Sequence, residues 1–350
     1  MLTLLYQQNY FPIFQNRMYD SKEEAIACKK GNIRLVENLE TGLVYNTEFS
    51  PGLMDYNGDY QNEQAVSPLF QQHLNAAAKA IGRSMGRDRL VEVGCGKGYF
   101  LEMLLANGFD VTGFDPAYEG TNPRVKRKYF APGIIEQANG LILRHVLEHI
   151  KSPVVFLEQL KAANGGCGKI YIEVPCFDWI CEHKAWFDIF YEHVNYFRLT
   201  DFKRLFGEII ESGKVFGGQY LYVVAELRSL RIPSIDMNDR VNFPPDFTKK
   251  IMKQCRVVQG NAAIWGGASK GVIFSLLKAR SGYPVNTVID INPAKQGRFL
   301  PGTGLLVKSP TQGIADLQNG STIYVMNSNY LDEIKYMSNN NFNYVGIDHD

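Results

Sequence analysis

Two stretches of the chain have the order strand, glycine turn, helix, and this order restricts the possible folds more than any other feature of the sequence. The first stretch is VEVGCGKGYF, residues 91–100, and the second is IWGGASKGVIF, residues 264–274. Short apolar segments alternate with helix-like segments after each of them, at the spacing of βα units. We therefore predict an α/β fold with parallel sheets that are covered by helices on both faces.

The 350 residues exceed the size of one ordinary domain, so several structural units are expected. Residues 1–66 mix short strand-like runs with turns, and we interpret them as a small mixed cap region. Residues 67–230 form the first predicted unit, which is Rossmann-like. Residues 245–350 form a second and smaller Rossmann-like α/β unit.

Composition excludes several classes of function. Lys and Arg total 37 and Asp and Glu total 36, so the chain lacks the strong net charge that would attract nucleic acid or an anionic membrane. Its six cysteines include no C-x-x-C pair, which argues against structural zinc and against a disulfide scaffold. We expect a reduced, cytoplasmic enzyme that binds a small molecule, with no metal, no nucleic-acid partner and no membrane partner.

The first glycine turn is the best candidate for a ligand site. Gly94, Gly96 and Gly98 lie between a strand and a helix, where residues without a Cβ let the main chain approach a ligand closely. Asp115 ends the next strand, 21 residues after Gly94, which is suitable for an acceptor of ribose hydroxyl groups. The alternative is a glycine turn that serves packing alone.

The segment E-V-G-C-G-K-G, residues 92–98, resembles the E/D-x-G-x-G-x-G signature of class I S-adenosylmethionine-dependent methyltransferases. H-V-L-E-H-I, residues 145–150, resembles the segment that follows the fourth strand in many of these enzymes. The resemblance implies S-adenosyl-L-methionine as the cofactor. The cofactor-binding residues that it implies are Glu92, Gly94, Cys95, Gly96, Gly98, Asp115, Pro116, His145 and Tyr60.

The second glycine turn, together with V-I-D-I-N-P-A-K-Q-G-R-F-L-P-G-T-G at residues 288–304, looks like the C-terminal domain of the sugar C-methyltransferase family. F-Y-E-H-V-N-Y-F, residues 190–197, is similar to a core segment of that family. These enzymes methylate carbon 3 of nucleotide-linked keto-deoxysugars. The substrate-binding residues that the resemblance implies are Tyr56, Gly217, Gly218, Gly266, Lys270, Lys295 and Arg298.

This chain departs from the sugar C-methyltransferase pattern in its first region. The family usually begins with a zinc-binding domain that carries four cysteines, whereas residues 1–66 contain Cys28 alone. We therefore interpret the cap region as a degenerate equivalent of the zinc domain and carry over no metal. Phe190 stands where the family has a tyrosine, and Tyr191 is its neighbour.

Methylation of a carbon atom requires a base to remove the hydrogen beside the ketone and donors to stabilise the enolate oxygen. His193 is the candidate base and Glu192 is the residue that would orient it, while Tyr191 and His149 are the candidate donors. Glu192 can instead fix the loop, because adjacent residues of an extended segment point to opposite faces.

Several other functions stay open at this point. An O- or N-methyltransferase of a sugar or secondary metabolite needs a weaker base and no enolate. A non-catalytic binding module with the same fold is a second alternative, and a dinucleotide oxidoreductase that uses the second glycine turn is a third.

Overall fold

The computed structural model describes residues 1–54, 67–134, 136–249, 253 and 261–348. It contains strands and helices in the alternating order that the sequence predicts. The strands are β1 (Leu2–Pro12), β2 (Lys30–Asn38), β3 (Val44–Asn46), β4 (Leu90–Val93), β5 (Val111–Phe114), β6 (Val125–Lys126), β7 (Gly140–Arg144), β8 (Lys169–Pro175), β9 (Asn195–Tyr196), β10 (Ile209–Val215), β11 (Tyr220–Glu226), β12 (Ala262–Trp265), β13 (Thr287–Ile289), β14 (Val307–Lys308), β15 (Thr322–Val325) and β16 (Asn343–Gly346). The helices are α1 (Lys22–Ala27), α2 (Pro68–Met85), α3 (Tyr99–Ala106), α4 (Pro153–Ala163), α5 (Phe177–Glu182), α6 (Leu199–Leu205), α7 (Ser269–Arg280), α8 (Pro310–Ala315) and α9 (Leu331–Met337).

The largest sheet has seven strands in the order β10-β11-β8-β7-β4-β5-β6. The five strands from β8 to β6 are parallel, while β11 runs antiparallel to β8 and β10 antiparallel to β11. All four residues of β4 are buried, as expected for a strand that is covered on both faces. The carboxyl end of β4 leads directly into the first glycine turn.

The second α/β sheet has five strands in the order β14-β13-β12-β15-β16, and every pairing in it is parallel. Helix α7 follows β12 after the second glycine turn, with Val272, Ile273 and Phe274 fully buried. The order of the strands places β12 at the point where the chain reverses direction across the sheet. Ligands bind at such a point in open α/β sheets.

The cap region contributes an antiparallel sheet in the order β1-β2-β3-β9. Strand β9 comes from the segment that follows the candidate base, and it pairs Tyr196 with Val44 of β3. The cap is therefore joined to the loop that carries His193. The division of the chain at residues 66, 230 and 245 stays a prediction.

One helix boundary differs from the sequence expectation. The pattern of TDFKRLFGEII, residues 200–210, predicts one helix that is capped by Thr200, but α6 begins at Leu199 and its N-cap is Arg198. The Asp201 carboxylate accepts a hydrogen bond of 2.7 Å from the Arg198 main-chain N–H and thereby caps the first turn. The helix ends at Leu205, and Ile209 already belongs to β10.

The aromatic segment between β8 and α6 is mostly core. Trp179, Trp186 and Phe187 are 5%, 1% and 0% exposed, so these three rings serve packing. Within the described part of the chain, none of the helices combines the length and apolarity that crossing a bilayer requires.

Candidate active site

The first glycine turn follows β4 and leads into α3. Gly94, Gly96 and Gly98 have φ angles of +74°, +53° and +83°, a left-handed conformation that glycine adopts without a steric cost. A Cβ on Gly94 would lie 2.6 Å from Cγ2 of Val146, whereas a Cβ on Gly96 would meet nothing within 4 Å. The turn therefore presents bare main chain to open space at the carboxyl end of the sheet.

A cavity of about 240 Å³ lies over this turn. It draws residues from the cap region, the seven-stranded sheet, the aromatic segment and helix α7. The residues that line it include Asn16, Glu92, Gly94, Cys95, Gly96, Tyr99, Arg144, His145, Glu148, His149, Asp188, Phe190, His193, Gln219, Tyr220, Ser269 and Lys270.

Asp115 stands at the end of β5, as the sequence predicts. One of its carboxylate oxygens accepts a hydrogen bond of 2.8 Å from the Gly96 main-chain N–H, and the other accepts one of 2.8 Å from the Ala117 N–H. Asp115 therefore holds the glycine turn in shape. Its contact with ribose hydroxyl groups and the contact of Pro116 with the cofactor stay predictions.

Glu92 is 3% exposed, and its Oε2 has no hydrogen-bond partner among the described residues. Burial raises the pKa of Glu92 from 4.5 to about 8, although the charge of Arg144 opposes this shift. The side chain is therefore protonated at neutral pH in the cofactor-free protein. A cationic group that entered the cavity beside it would favour the ionised carboxylate.

Glu173 of β8 is fully buried, and its carboxylate accepts hydrogen bonds from several neighbouring side chains. Arg144 Nη2 donates to Oε1 over 2.8 Å and the Tyr171 hydroxyl donates to Oε2 over 2.7 Å, while His73 Nε2 lies 3.0 Å from Oε1. Burial alone would raise the pKa of Glu173, but the Arg144 charge and the neighbouring imidazoles lower it well below its ordinary value.

His145 lies between two carboxylates. Its Nε2 is 3.2 Å from Glu173 Oε1, and its Nδ1 is 3.3 Å from Glu148 Oε1. Burial would lower the pKa of His145, but the two carboxylates raise it to about 9. The ring is therefore cationic at neutral pH, and it lines the cavity where the sequence places a cofactor contact.

His149 and His193 line the same cavity and lie side by side, with ring centroids 5.0 Å apart and an angle of 71° between the ring planes. Burial lowers the pKa of His149, and burial together with the neighbouring imidazoles lowers the pKa of His193 well below its ordinary value. His149 Nδ1 lies 2.8 Å from the main-chain oxygen of Glu192 and donates to it. The Nδ1 atom of His149 is therefore directed at the loop that carries His193, and the expected role of the side chain as a donor toward substrate stays a prediction.

Two other residues predicted to be catalytic are directed toward the cap. The Tyr191 hydroxyl accepts a hydrogen bond of 2.9 Å from the Ser50 N–H and donates to the Glu48 carbonyl over 3.3 Å. Tyr191 is 1% exposed, and this placement overturns its expected role as a donor toward substrate. Glu192 Oε2 accepts a bond of 2.7 Å from the Gln15 N–H, so its carboxylate fixes the loop instead of orienting His193.

A second cavity of about 180 Å³ lies at the carboxyl end of the five-stranded sheet. Gly266, Lys270 and Lys295, all predicted to bind substrate, line it. Lys270 borders both cavities, and its Nζ lies 3.2 Å from Asp188 Oδ2. The two cavities also share Tyr220 and Ser269, so they adjoin.

The remaining predicted substrate residues lie elsewhere. A Cβ on Gly217 would meet the Asn329 side chain at 2.6 Å, and one on Gly218 would meet Trp179 at 3.1 Å. Arg298 is ion-paired with Asp20 over 2.9 Å. Contact of these three residues with substrate stays a prediction.

Tyr56 and Tyr60 lie outside the described residues, so nothing is added to their predicted contacts with substrate and cofactor.

Comparison with known proteins gives the site an identity. Residues 56–209 match the family model described as a methyltransferase domain. This segment is a class I S-adenosylmethionine-dependent methyltransferase domain. The chain is accordingly an enzyme that uses S-adenosyl-L-methionine.

Three solved structures show what the chain is similar to. A SAM-dependent methyltransferase from Archaeoglobus fulgidus is 17% identical over 46% of this chain and 100% of its own, with a TM-score of 0.34. The 1,6-didemethyltoxoflavin-N1-methyltransferase from Burkholderia thailandensis is 14% identical over 54% of this chain and 97% of its own, with a TM-score of 0.36. The N-methyltransferase NodS from Bradyrhizobium japonicum WM9 is 13% identical over 46% of this chain and 97% of its own, with a TM-score of 0.33. No curated protein matches the chain.

The glycine turn of the methyltransferase domain fits the cofactor. The open space at Gly96 and the unpartnered, buried Oε2 of Glu92 lie in one cavity. A main-chain hollow and an acidic acceptor suit the ammonium group of a methionine moiety. Gly94, Cys95 and His145 line the same cavity, while a Cβ on Gly98 would lie 3.2 Å from the Tyr118 ring.

Sequence reasoning missed several of the residues that line the cavity, among them Glu148, Asn16 and Asp188. Glu148 adjoins His149 within the HVLEHI segment, and it lines the cavity together with that histidine. Asn16 of the cap and Asp188 of the aromatic segment reach the site only through long-range packing. A local pattern could have identified Glu148 alone of the three.

Proposed function

We propose that this methyltransferase methylates a carbon atom of a nucleotide-linked keto-deoxysugar. The acceptor would lie between the unit of residues 67–230 and the unit of residues 245–350, with residues 1–66 as a cap. The adjoining cavities support this arrangement, since Tyr220, Ser269 and Lys270 belong to both. One cavity would take the cofactor and the reacting sugar, and the other would take the nucleotide.

The observation that carries the proposal is the position of His193. Its imidazole lies in the same cavity as the glycine turn, and its buried Nδ1 has no hydrogen-bond partner among the described residues. An imidazole with an available lone pair in a cofactor cavity is suited to accept a proton from the acceptor carbon. The carboxylate of Glu148, with an oxygen within 4.8 Å of the ring nitrogen, would stabilise the imidazolium that forms.

S-adenosyl-L-methionine supplies an electrophilic methyl group when it is bound. The chain itself must orient the acceptor, remove one proton and offset the negative charge on the enolate oxygen. Lys270 is suited to the last task because it carries a positive charge and lines both cavities. Gly266 and Lys295 would contact the nucleotide part in the second cavity.

The acceptor is tested by incubating the protein with labelled cofactor and a panel of nucleotide-linked keto-sugars, followed by mass spectrometry of the products. Carbon methylation through an enolate predicts that deuterium from the solvent exchanges into the acceptor carbon. A methylated oxygen or nitrogen without such exchange would overturn the proposal.

The role of His193 is tested with His193→Ala, for which His183→Ala is the matched control. His183 is half-buried, stacks on Trp179 with ring centroids 4.6 Å apart and is not among the residues that line the cavity over the glycine turn. We expect His193→Ala to abolish both exchange and turnover while the affinity for S-adenosyl-L-methionine stays the same. Normal turnover in this variant would refute the assignment of the base.

A further inference from the structure

Three side chains that line the cofactor cavity lie close enough together to hold one metal ion. Each of Glu148, His149 and His193 offers one ligand atom, and these atoms all lie within 4.8 Å of one another. All three side chains line the cavity over the glycine turn. The cysteine pattern argues against structural zinc, but this cluster uses no cysteine.

Glu148 is the member whose situation most needs an explanation. Its side chain is 1% exposed, yet neither of its carboxylate oxygens has a hydrogen-bond partner among the described residues. His145 Nδ1 approaches Oε1 to 3.3 Å, but the contact lacks hydrogen-bond alignment. The cationic ring of His145 offsets the charge of Glu148 from one side, and a bound cation would give the buried oxygens the partner that they lack.

The two histidines are prepared in the way that metal ligands usually are. His149 donates its Nδ1–H to the main-chain oxygen of Glu192 over 2.8 Å, which leaves Nε2 as the nitrogen with the lone pair. His193 has a buried Nδ1 without a partner among the described residues. A hydrogen bond of 2.8 Å from the Val194 N–H to the Glu148 carbonyl ties the two segments together.

We propose that Glu148, His149 and His193 bind one divalent transition-metal ion of the Zn²⁺ type. Two imidazoles and one carboxylate are a ligand set that suits Zn²⁺ and Co²⁺, whereas Mg²⁺ and Ca²⁺ prefer oxygen ligands alone. The three protein ligands leave a coordination position that opens into the cavity, as in catalytic zinc sites. An oxygen atom of the acceptor is the chemical group that would fill this position.

The metal site shares His193 with the proposed function, but it does not depend on which atom accepts the methyl group. A coordinated imidazole nitrogen cannot also accept a proton. If His193 is the base, loading with metal should therefore inhibit turnover, and a chelator should restore it. Activation by the metal would refute the base assignment and leave the metal site standing.

The binding test uses the full chain after treatment with a chelator, without cofactor or acceptor. We expect Co²⁺ to bind with a stoichiometry of one ion per chain and to give visible d–d absorption bands, and Zn²⁺ to displace it. Mg²⁺ at the same concentration should not displace Co²⁺. Absence of stoichiometric binding of Co²⁺ and Zn²⁺ would overturn the proposal.

Two variants and one control assign the binding to this cluster. Glu148→Gln keeps the shape of the side chain, and His193→Ala removes one imidazole; each should weaken Co²⁺ binding at least about tenfold, since even outer partners of metal ligands contribute that much. His183→Ala should bind Co²⁺ like the unmodified protein. Circular dichroism verifies that each variant is folded, and undiminished binding in both folded cluster variants would place the ion elsewhere.

Discussion

Replacement of Glu92 by glutamine tests the central claim about the cofactor pocket, because it removes the charge and keeps the shape of the side chain. Burial raises the pKa of Glu92 from 4.5 to about 8. At about 1.4 kcal/mol for each pH unit, this difference disfavours the ionised form by about 5 kcal/mol in the folded, cofactor-free protein. That value is the upper limit of the stability that Glu92→Gln can restore.

The effect has a definite pH window. Between pH 4.5 and about pH 8 the folded protein keeps a proton on Glu92 that the unfolded chain has released. The free energy of unfolding therefore falls as the pH rises through this window, and it levels off above it. Glutamine cannot ionise, so Glu92→Gln should match the unmodified protein near the lower end and be more stable by up to about 5 kcal/mol near pH 9.

Urea denaturation of the cofactor-free protein at several pH values measures this difference. Isothermal titration with S-adenosyl-L-methionine then measures the functional cost. Because a cationic cofactor favours the ionised carboxylate, binding below pH 8 should release a proton from the unmodified protein and none from Glu92→Gln. The argument would be refuted if the free energy of unfolding changed with pH in the same way in both proteins, or if both released the same number of protons on binding the cofactor.

Three further changes have outcomes that the structure specifies. Gly94→Ala places a Cβ 2.6 Å from Val146 at a residue whose φ is +74°. Titration calorimetry should therefore show at least about a tenfold loss of affinity for the cofactor, which is equivalent to about 1.4 kcal/mol. Unchanged affinity would contradict the turn geometry. Glu173→Gln leaves the buried Arg144 without its counter-charge. The free energy of unfolding, measured by urea denaturation, should therefore fall by about 3–5 kcal/mol. A fall below about 1 kcal/mol would show that the ion pair contributes little to stability. Tyr191→Phe removes two hydrogen bonds to the cap and should lower the free energy of unfolding by about 1–3 kcal/mol, while kcat stays unchanged. A large fall in kcat would show that the hydroxyl takes part in the reaction.

Local patterns in the sequence predict the sheets and the glycine turn because the forces behind them are local. Three of the four residues of β4 are apolar and all four are buried. The glycines that follow adopt φ angles that other residues avoid. Asp115 is also predictable, since the carboxyl ends of neighbouring parallel strands meet at one edge. The boundary of α6 was missed because its cap is a pairing of Arg198 with Asp201, which no preference of a single residue reveals.

The catalytic segment shows where local reasoning fails, since the direction of each side chain depends on what packs against it. Tyr191 turns to the cap, where its ring packs so near Gly31 that a Cβ on that glycine would lie 2.3 Å from it. Glu192 is held by the Gln15 main chain, and only His193 enters the cavity. Two of the three residues that were expected to do chemistry therefore anchor the loop that carries the third. The cap therefore has a structural task, because its contacts with Glu192 and with β9 help to fix the position of the imidazole on which both the proposed proton transfer and the proposed metal site depend.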